Sequence, residues 1–184
     1  MKEIRIHGRG GQGSVTAADL ISISGFASGK YGQGFPAFGV ERRGAPVQAF
    51  ARLSDKPMRV RYQVYEPDYV MVLDSTLVDV VNVAAGLKDN GIIIINSKES
   101  AEHFSKKIDA KAKIVTVDAT QAALDITGVP IVNTVMLGAF AAATGEMTVE
   151  SVEDAVKKRF AGEVGEKNAA AVRATYNFVK EGMK

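Results

Sequence analysis

One run in the chain has the residue types and spacing to handle an anion. Gly8-Arg9-Gly10-Gly11-Gln12-Gly13 contains GxGxxG, set between an alternating stretch, Lys2 to His7, and an Ala-, Leu- and Ile-rich stretch, Ser14 to Phe26. Strand, glycine turn and helix in that order let backbone approach a ligand closely and aim free N–H donors and a partial positive charge at it. A dinucleotide site would add an acid about 20 residues on, at the end of a second strand, to hold the ribose. Around Lys30 to Gly34 there is no acid, and the next one, Glu41, is followed at once by Arg42 and Arg43. Nicotinamide binding is therefore disfavoured. A phosphate or polar-ligand loop and a purely structural tight turn remain as readings of these six residues.

Phe35-Pro36-Ala37-Phe38-Gly39-Val40-Glu41-Arg42-Arg43-Gly44-Ala45-Pro46 is the second constellation. Aromatics, an acid, two guanidinium groups and rigidifying Pro and Gly suit the grip of an anionic ligand or of a partner chain. The plainer reading is a surface loop in which Glu41 pairs with Arg42 or Arg43. No Cys is present, which excludes disulfides, a thiol nucleophile and iron–sulfur ligation by this chain. His7 and His103 are the only histidines, too few and too far apart in sequence for a histidine metal site. No catalytic residue and no metal ligand is assigned.

The elements that must position these residues follow from periodicity. After the first strand, turn and helix, Ser28 to Pro46 reads as a long irregular segment, the kind that carries function. Val47 to Leu53 and Met58 to Val64, flanking Ser54-Asp55-Lys56-Pro57, read as a hairpin. Tyr69 to Leu73, Gly91 to Asn96 and Lys113 to Val117 read as strands; Ser75 to Leu87, Glu99 to Lys107 and Ala119 to Ile126 read as the helices between and after them. The apolar run Asn133 to Ala143 predicts a helix that is buried or lies in an interface. Two amphipathic helices, Val149 to Phe160 and Glu166 to Glu181, close the chain. The expected fold is α/β: three layers, α/β/α, around a mixed, mostly parallel sheet, as one domain over residues 1–184.

Composition bounds the partners. With 46% hydrophobic and 24% charged residues the chain should fold, and a net charge of +2 without dense Lys/Arg clusters argues against nucleic acid. No apolar run approaches the length of a membrane span and no signal peptide is apparent, so the expected location is cytoplasmic.

Taken together, GRGGQG and FGVERRGAP at this spacing resemble the paired signature of the gamma subunit of pyruvate:ferredoxin oxidoreductase and its 2-oxoacid relatives. Tyr65-Glu66-Pro67-Asp68 and Asn133-Thr134-Val135-Met136-Leu137-Gly138 follow in the same order, so the resemblance covers nearly the whole chain. It implies a multi-subunit enzyme that turns a 2-oxoacid, coenzyme A and oxidised ferredoxin into acyl-CoA, carbon dioxide and reduced ferredoxin. Thiamine diphosphate, magnesium and [4Fe–4S] clusters would sit in alpha, beta and delta partners, and this chain would bind none of them alone. On that reading Gly8, Arg9, Gly10, Gly11, Gln12, Gly13, Arg42 and Arg43 are candidates to contact coenzyme A, and Phe35, Phe38 and Glu41 to shape the site or an interface. A branched-chain (2-oxoisovalerate) enzyme and a purely scaffolding subunit are the alternatives.

Overall fold

Lys2–Arg9 forms β1, with Ile4 and Ile6 fully buried on one face and Arg5 and His7 buried on the other. A computed structural model describes residues 1–37, 42–60 and 62–183. The remaining strands are β2 (Tyr31–Pro36), β3 (Pro46–Ser54), β4 (Tyr69–Val72), β5 (Ile92–Asn96) and β6 (Lys113–Val117), in the spatial order β2-β3-β1-β4-β5-β6. β1 pairs antiparallel with β3 and β3 with β2, whereas β1, β4, β5 and β6 run parallel. The sheet is thus mixed and mostly parallel, and the fold is α/β as expected.

Side-chain alternation along the strands sorts the core into two clusters. Ile4, Ile6, Met71, Ile94, Val115 and Val117 face a thick layer. It is built from α1 (Ser14–Ala27), α3 (Ala119–Thr127), α4 (Val135–Thr144), α5 (Val149–Arg159) and α6 (Glu163–Gly182). Val70, Val72, Ile93 and Ile95 face a thin one, made of the five-residue α2 (Ala101–Ser105) and a 3-10 turn over Ser75–Asp79. The helix starts are written locally: Asp118 accepts from Gln121 N–H at 2.9 Å and Thr148 from Ser151 N–H at 3.1 Å, while Gly128 and Gly145 end α3 and α4 in the left-handed region. The uniformly apolar α4 is buried within the chain itself. It lies so close to α6 that a Cβ on Gly138 would fall 2.0 Å from the Val172 carbonyl oxygen.

Three local expectations are corrected. The stretch expected to be irregular contains β2. Its Gly32 and Gly34 hide the strand because they weaken strand propensity, yet they are required there, since added Cβ atoms would sit 2.2 and 2.7 Å from α1 carbonyl oxygens. β3 finds its antiparallel partners in β2 and β1, and residues 58–60 and 62–64 form no strand; Gln33 and Arg52 instead tie the Val60 and Tyr62 carbonyls down as a strap. Ser75 to Leu87 is helical only in its first turn. The β-branched run there resists helix, and Arg5 Nη2 takes the carbonyls of Val83 and Ala85 that a helix would use itself. Arg5 also donates to His7 Nε2 at 3.1 Å; burial and then the Arg5 charge hold the His7 pKa down to about 3, so His7 is a neutral acceptor.

Arg52 is fully buried under that strap. It bonds Glu3 Oε1 at 2.9 Å and stacks between Phe35 and Tyr62, 5.0 and 4.9 Å from the ring centres. Breaking a buried ion pair leaves the other charge stranded, which costs about 3–5 kcal/mol. Arg52→Ala should lower stability by that amount in chemical denaturation. Arg52→Lys should recover little of it, because a single ammonium cannot bond Glu3 and Tyr62 while stacking on two rings.

Candidate functional site

The β1–β3 ladder places the two motifs against each other. Its register runs through Gly8↔Val47 and Arg9↔Pro46, and past it Gly10 N–H donates to the Ala45 carbonyl at 2.9 Å while Gly44 N–H donates to the Gly10 carbonyl at 3.0 Å. A further bridge joins Gly10 to Arg43. Backbone packs on backbone here: a Cβ at Gly10 would lie 2.3 Å from the Arg42 carbonyl oxygen. Arg42 and Arg43 themselves are exposed at the rim of this junction.

Asp74, just past the end of β4, draws a third loop into the group. Its carboxylate accepts from Arg9 Nε at 2.9 Å, Gln12 Nε2 at 3.4 Å, Thr76 N–H at 3.0 Å and Thr76 Oγ1 at 2.6 Å. Arg9 also donates through Nη1 to the Gly44 carbonyl at 3.2 Å and through Nη2 to Thr76 Oγ1 at 2.8 Å. The guanidinium therefore latches three loops of its own chain together. Partial burial raises the Asp74 pKa, but the Thr76 hydrogen bonds and Arg9 outweigh it and hold the carboxyl below its ordinary 3.8.

Behind the turn, α1 begins at Gly13, in the left-handed region at φ 80°, with no side-chain cap and no acid in its first turn. Among the described residues its first-turn amides meet no side-chain acceptor. Ser14 Oγ, at the same end, is buried and has no hydrogen-bond partner among the described residues. Asn133 closes the other side: its Nδ2 donates to the Gly13 carbonyl at 3.4 Å, and a Cβ at Gly13 would meet it at 2.4 Å. Next to Gln12, a polar cleft of about 540 Å³ opens over the C-terminal ends of β4, β5 and β6, lined by Asp74, Asn96, Asp118 and Thr120. Ligands favour this edge of a parallel sheet.

Gly8, Gly10, Gly11, Gln12 and Gly13 thus form one turn that adjoins Arg42 and Arg43, and Arg9 is spent on the latch. Phe35 lies on the opposite face of the sheet, half-buried against Phe50 with ring centres 5.4 Å apart and against Arg52. Phe38 and Glu41 lie outside the described residues. Asp74 and Ser14 were not singled out from sequence. An acid at the end of an apolar strand is the signal for Asp74, but its strand neighbours β1 only in space.

The model of the pyruvate ferredoxin/flavodoxin oxidoreductase family matches residues 3–178. The chain belongs to that family. A relative from Methanosarcina barkeri, named pyruvate synthase subunit PorC, is 64% identical over 85% of each chain. One from Pyrococcus furiosus, named pyruvate/ketoisovalerate oxidoreductases common subunit gamma, is 56% identical over 96% of each. The crystal structure of pyruvate oxidoreductase subunit PORC from Thermotoga maritima superposes with a TM-score of 0.85 at 38% identity, covering 96% of this chain and 95% of that one. For a chain of the pyruvate ferredoxin/flavodoxin oxidoreductase family, the described residues hold no group of three or more His, Cys, Asp or Glu able to bind a metal. No described helix is long and apolar enough to cross a membrane.

The latch has a pH signature. Because folding favours the Asp74 carboxylate, its stabilisation is complete above the ordinary 3.8 and is lost as pH falls below it. The protection factors of the Gly10 and Gly44 amides, with intrinsic exchange divided out, should fall on acidification through that range. Asp74→Asn should raise exchange at neutral pH, flatten this dependence and cost about 1 kcal/mol, the pair being partly screened by solvent.

Proposed function

We propose that this chain acts as the gamma subunit of a coenzyme-A-acylating pyruvate:ferredoxin oxidoreductase. It works as one domain over residues 1–184, in the cytoplasm, bound to alpha, beta and delta subunits. Pyruvate, coenzyme A and oxidised ferredoxin become acetyl-CoA, carbon dioxide and reduced ferredoxin. The thiamine diphosphate, magnesium and [4Fe–4S] clusters of that chemistry belong to the partners, in keeping with a cysteine-free chain.

Its own contribution is a surface that holds an anion. The observation that carries this reading is the junction of the uncapped α1 N-terminus with the Arg42-Arg43 turn, fixed by the two hydrogen bonds between Gly10 and residues 44 and 45. Coenzyme A brings phosphates at one end and a long neutral arm at the other. Helix amides and two exposed guanidinium groups suit the phosphates, and the neighbouring polar cleft leaves room for the groups attached to them. Arg9 would take no direct part, since Asp74 neutralises it; it holds the turn in shape. The relative named as common to pyruvate and ketoisovalerate enzymes favours a second reading, in which the same subunit also serves a branched-chain 2-oxoacid enzyme.

Kinetics of the intact native complex test both points. Arg42→Ala or Arg43→Ala should raise the Michaelis constant for coenzyme A about tenfold, as the loss of one charge-assisted hydrogen bond of about 1.5–3 kcal/mol requires, and leave that for pyruvate unchanged. Normal assembly with unaltered coenzyme A dependence would defeat the ligand role, and loss of the alpha and beta chains would make the arginines interface residues. Turnover of both pyruvate and 2-oxoisovalerate by complexes containing this chain would support the shared-subunit reading.

A further inference from the structure

Segment 129–133 is a wall between two cavities. Pro130 and Val132 line the polar cleft, whereas Val129, Ile131 and Asn133 line a second cavity of about 420 Å³ on the thick helical layer. The far walls of the second cavity include Thr16 of α1, Phe160 after α5 and Val164 of α6.

Asn133, in the wall of this cavity, is 5% exposed and reaches the Gly13 carbonyl through Nδ2. Two features of the cavity are left unanswered by the chain itself. Val129, Ile131 and Val164 are 45%, 54% and 57% exposed, and their apolar surface runs out of the cavity onto its rim. A small molecule filling the cavity would leave that rim wet; a polypeptide covers both. Charge is the second feature. Lys167 and Glu163 cancel in an ion pair, while Arg159 lies 5.3 Å over the Phe160 ring and feels Asp19 at longer range, with no salt-bridge partner among the described residues.

We propose that the cavity and its rim dock a segment of a partner subunit. That segment inserts one large aliphatic or aromatic side chain and sets a carboxylate against Arg159. Because Asn133 also packs on Gly13, docking would fix the start of α1 and with it the glycine turn. The inference rests on the reading that the chain works inside a multi-subunit complex, but not on its contact with coenzyme A.

Hydrogen exchange of the purified native complex against the isolated chain should show protection concentrated in residues 127–134 and 160–168. A photo-reactive phenylalanine analogue at position 164 should cross-link to an identified chain of that complex. Ile131→Asp, at an exposed position where the fold tolerates charge, should weaken assembly at least tenfold with an unchanged thermal melt; Val80→Asp, equally exposed on the thin layer, should not weaken it. Complex that forms with 127–134 unprotected overturns this proposal alone. Cross-links only to a second copy of the chain, or a non-peptide adduct retained by the folded chain and lost in Ile131→Asp, overturn it in favour of self-association or a small ligand. A chain that assembles with no partner brings it down together with the multi-subunit reading.

Discussion

The antiparallel ladder between β1 and β3 is the constraint on which the rest depends. β1 is also the first parallel strand, so one strand serves two kinds of pairing, and its C-terminal end must satisfy both neighbours. On the parallel side the chain reaches Asp74; on the antiparallel side it reaches the turn that carries Arg42 and Arg43. The glycine turn sits between them because a ladder register, once set at Ile4↔Ala51 and Ile6↔Ala49 by the buried face, cannot slip by one residue without turning that face outward. Everything at the candidate site inherits its position from that register.

Charge is distributed accordingly. Arg9 and Asp74 neutralise each other at the centre of the junction, which leaves the net positive character to the exposed arginines and to the start of α1. An anion arriving there meets exposed arginines that form no salt bridge with the described residues, while the Arg9–Asp74 pair keeps three loops in place. A site in which every cation were free would have to hold its loops by other means, against their mutual repulsion.

The two layers differ for a related reason. The thick layer is conventional, with small residues such as Gly138 allowing helices to cross closely. On the other face, over β1 and β3, buried guanidinium groups do what a helix would do elsewhere: Arg5 gathers the carbonyls of Val83 and Ala85, and Arg52 gathers those of the strap along with Glu3. Irregular backbone needs its carbonyls satisfied when buried, and an arginine with its fan of donors can satisfy several at once.

Sequence alone determined what local physics can write. Short, mostly apolar runs marked β4, β5 and β6, the longer all-apolar run marked a buried α4, and the glycine run before Ser14 marked a turn at a helix start, together with a resemblance that named the family. It could not show β2, because Gly32 and Gly34 carry no strand signal and are explained only by the helix lying 2.2 and 2.7 Å from their missing Cβ atoms. Nor could it show that β3 pairs backward instead of forward, that residues beyond Asp79 leave the helix for Arg5, or that Asp74 meets Arg9. Those outcomes rest on contacts between residues distant in the chain, whose energies exceed local propensity and exist only once the sheet has closed.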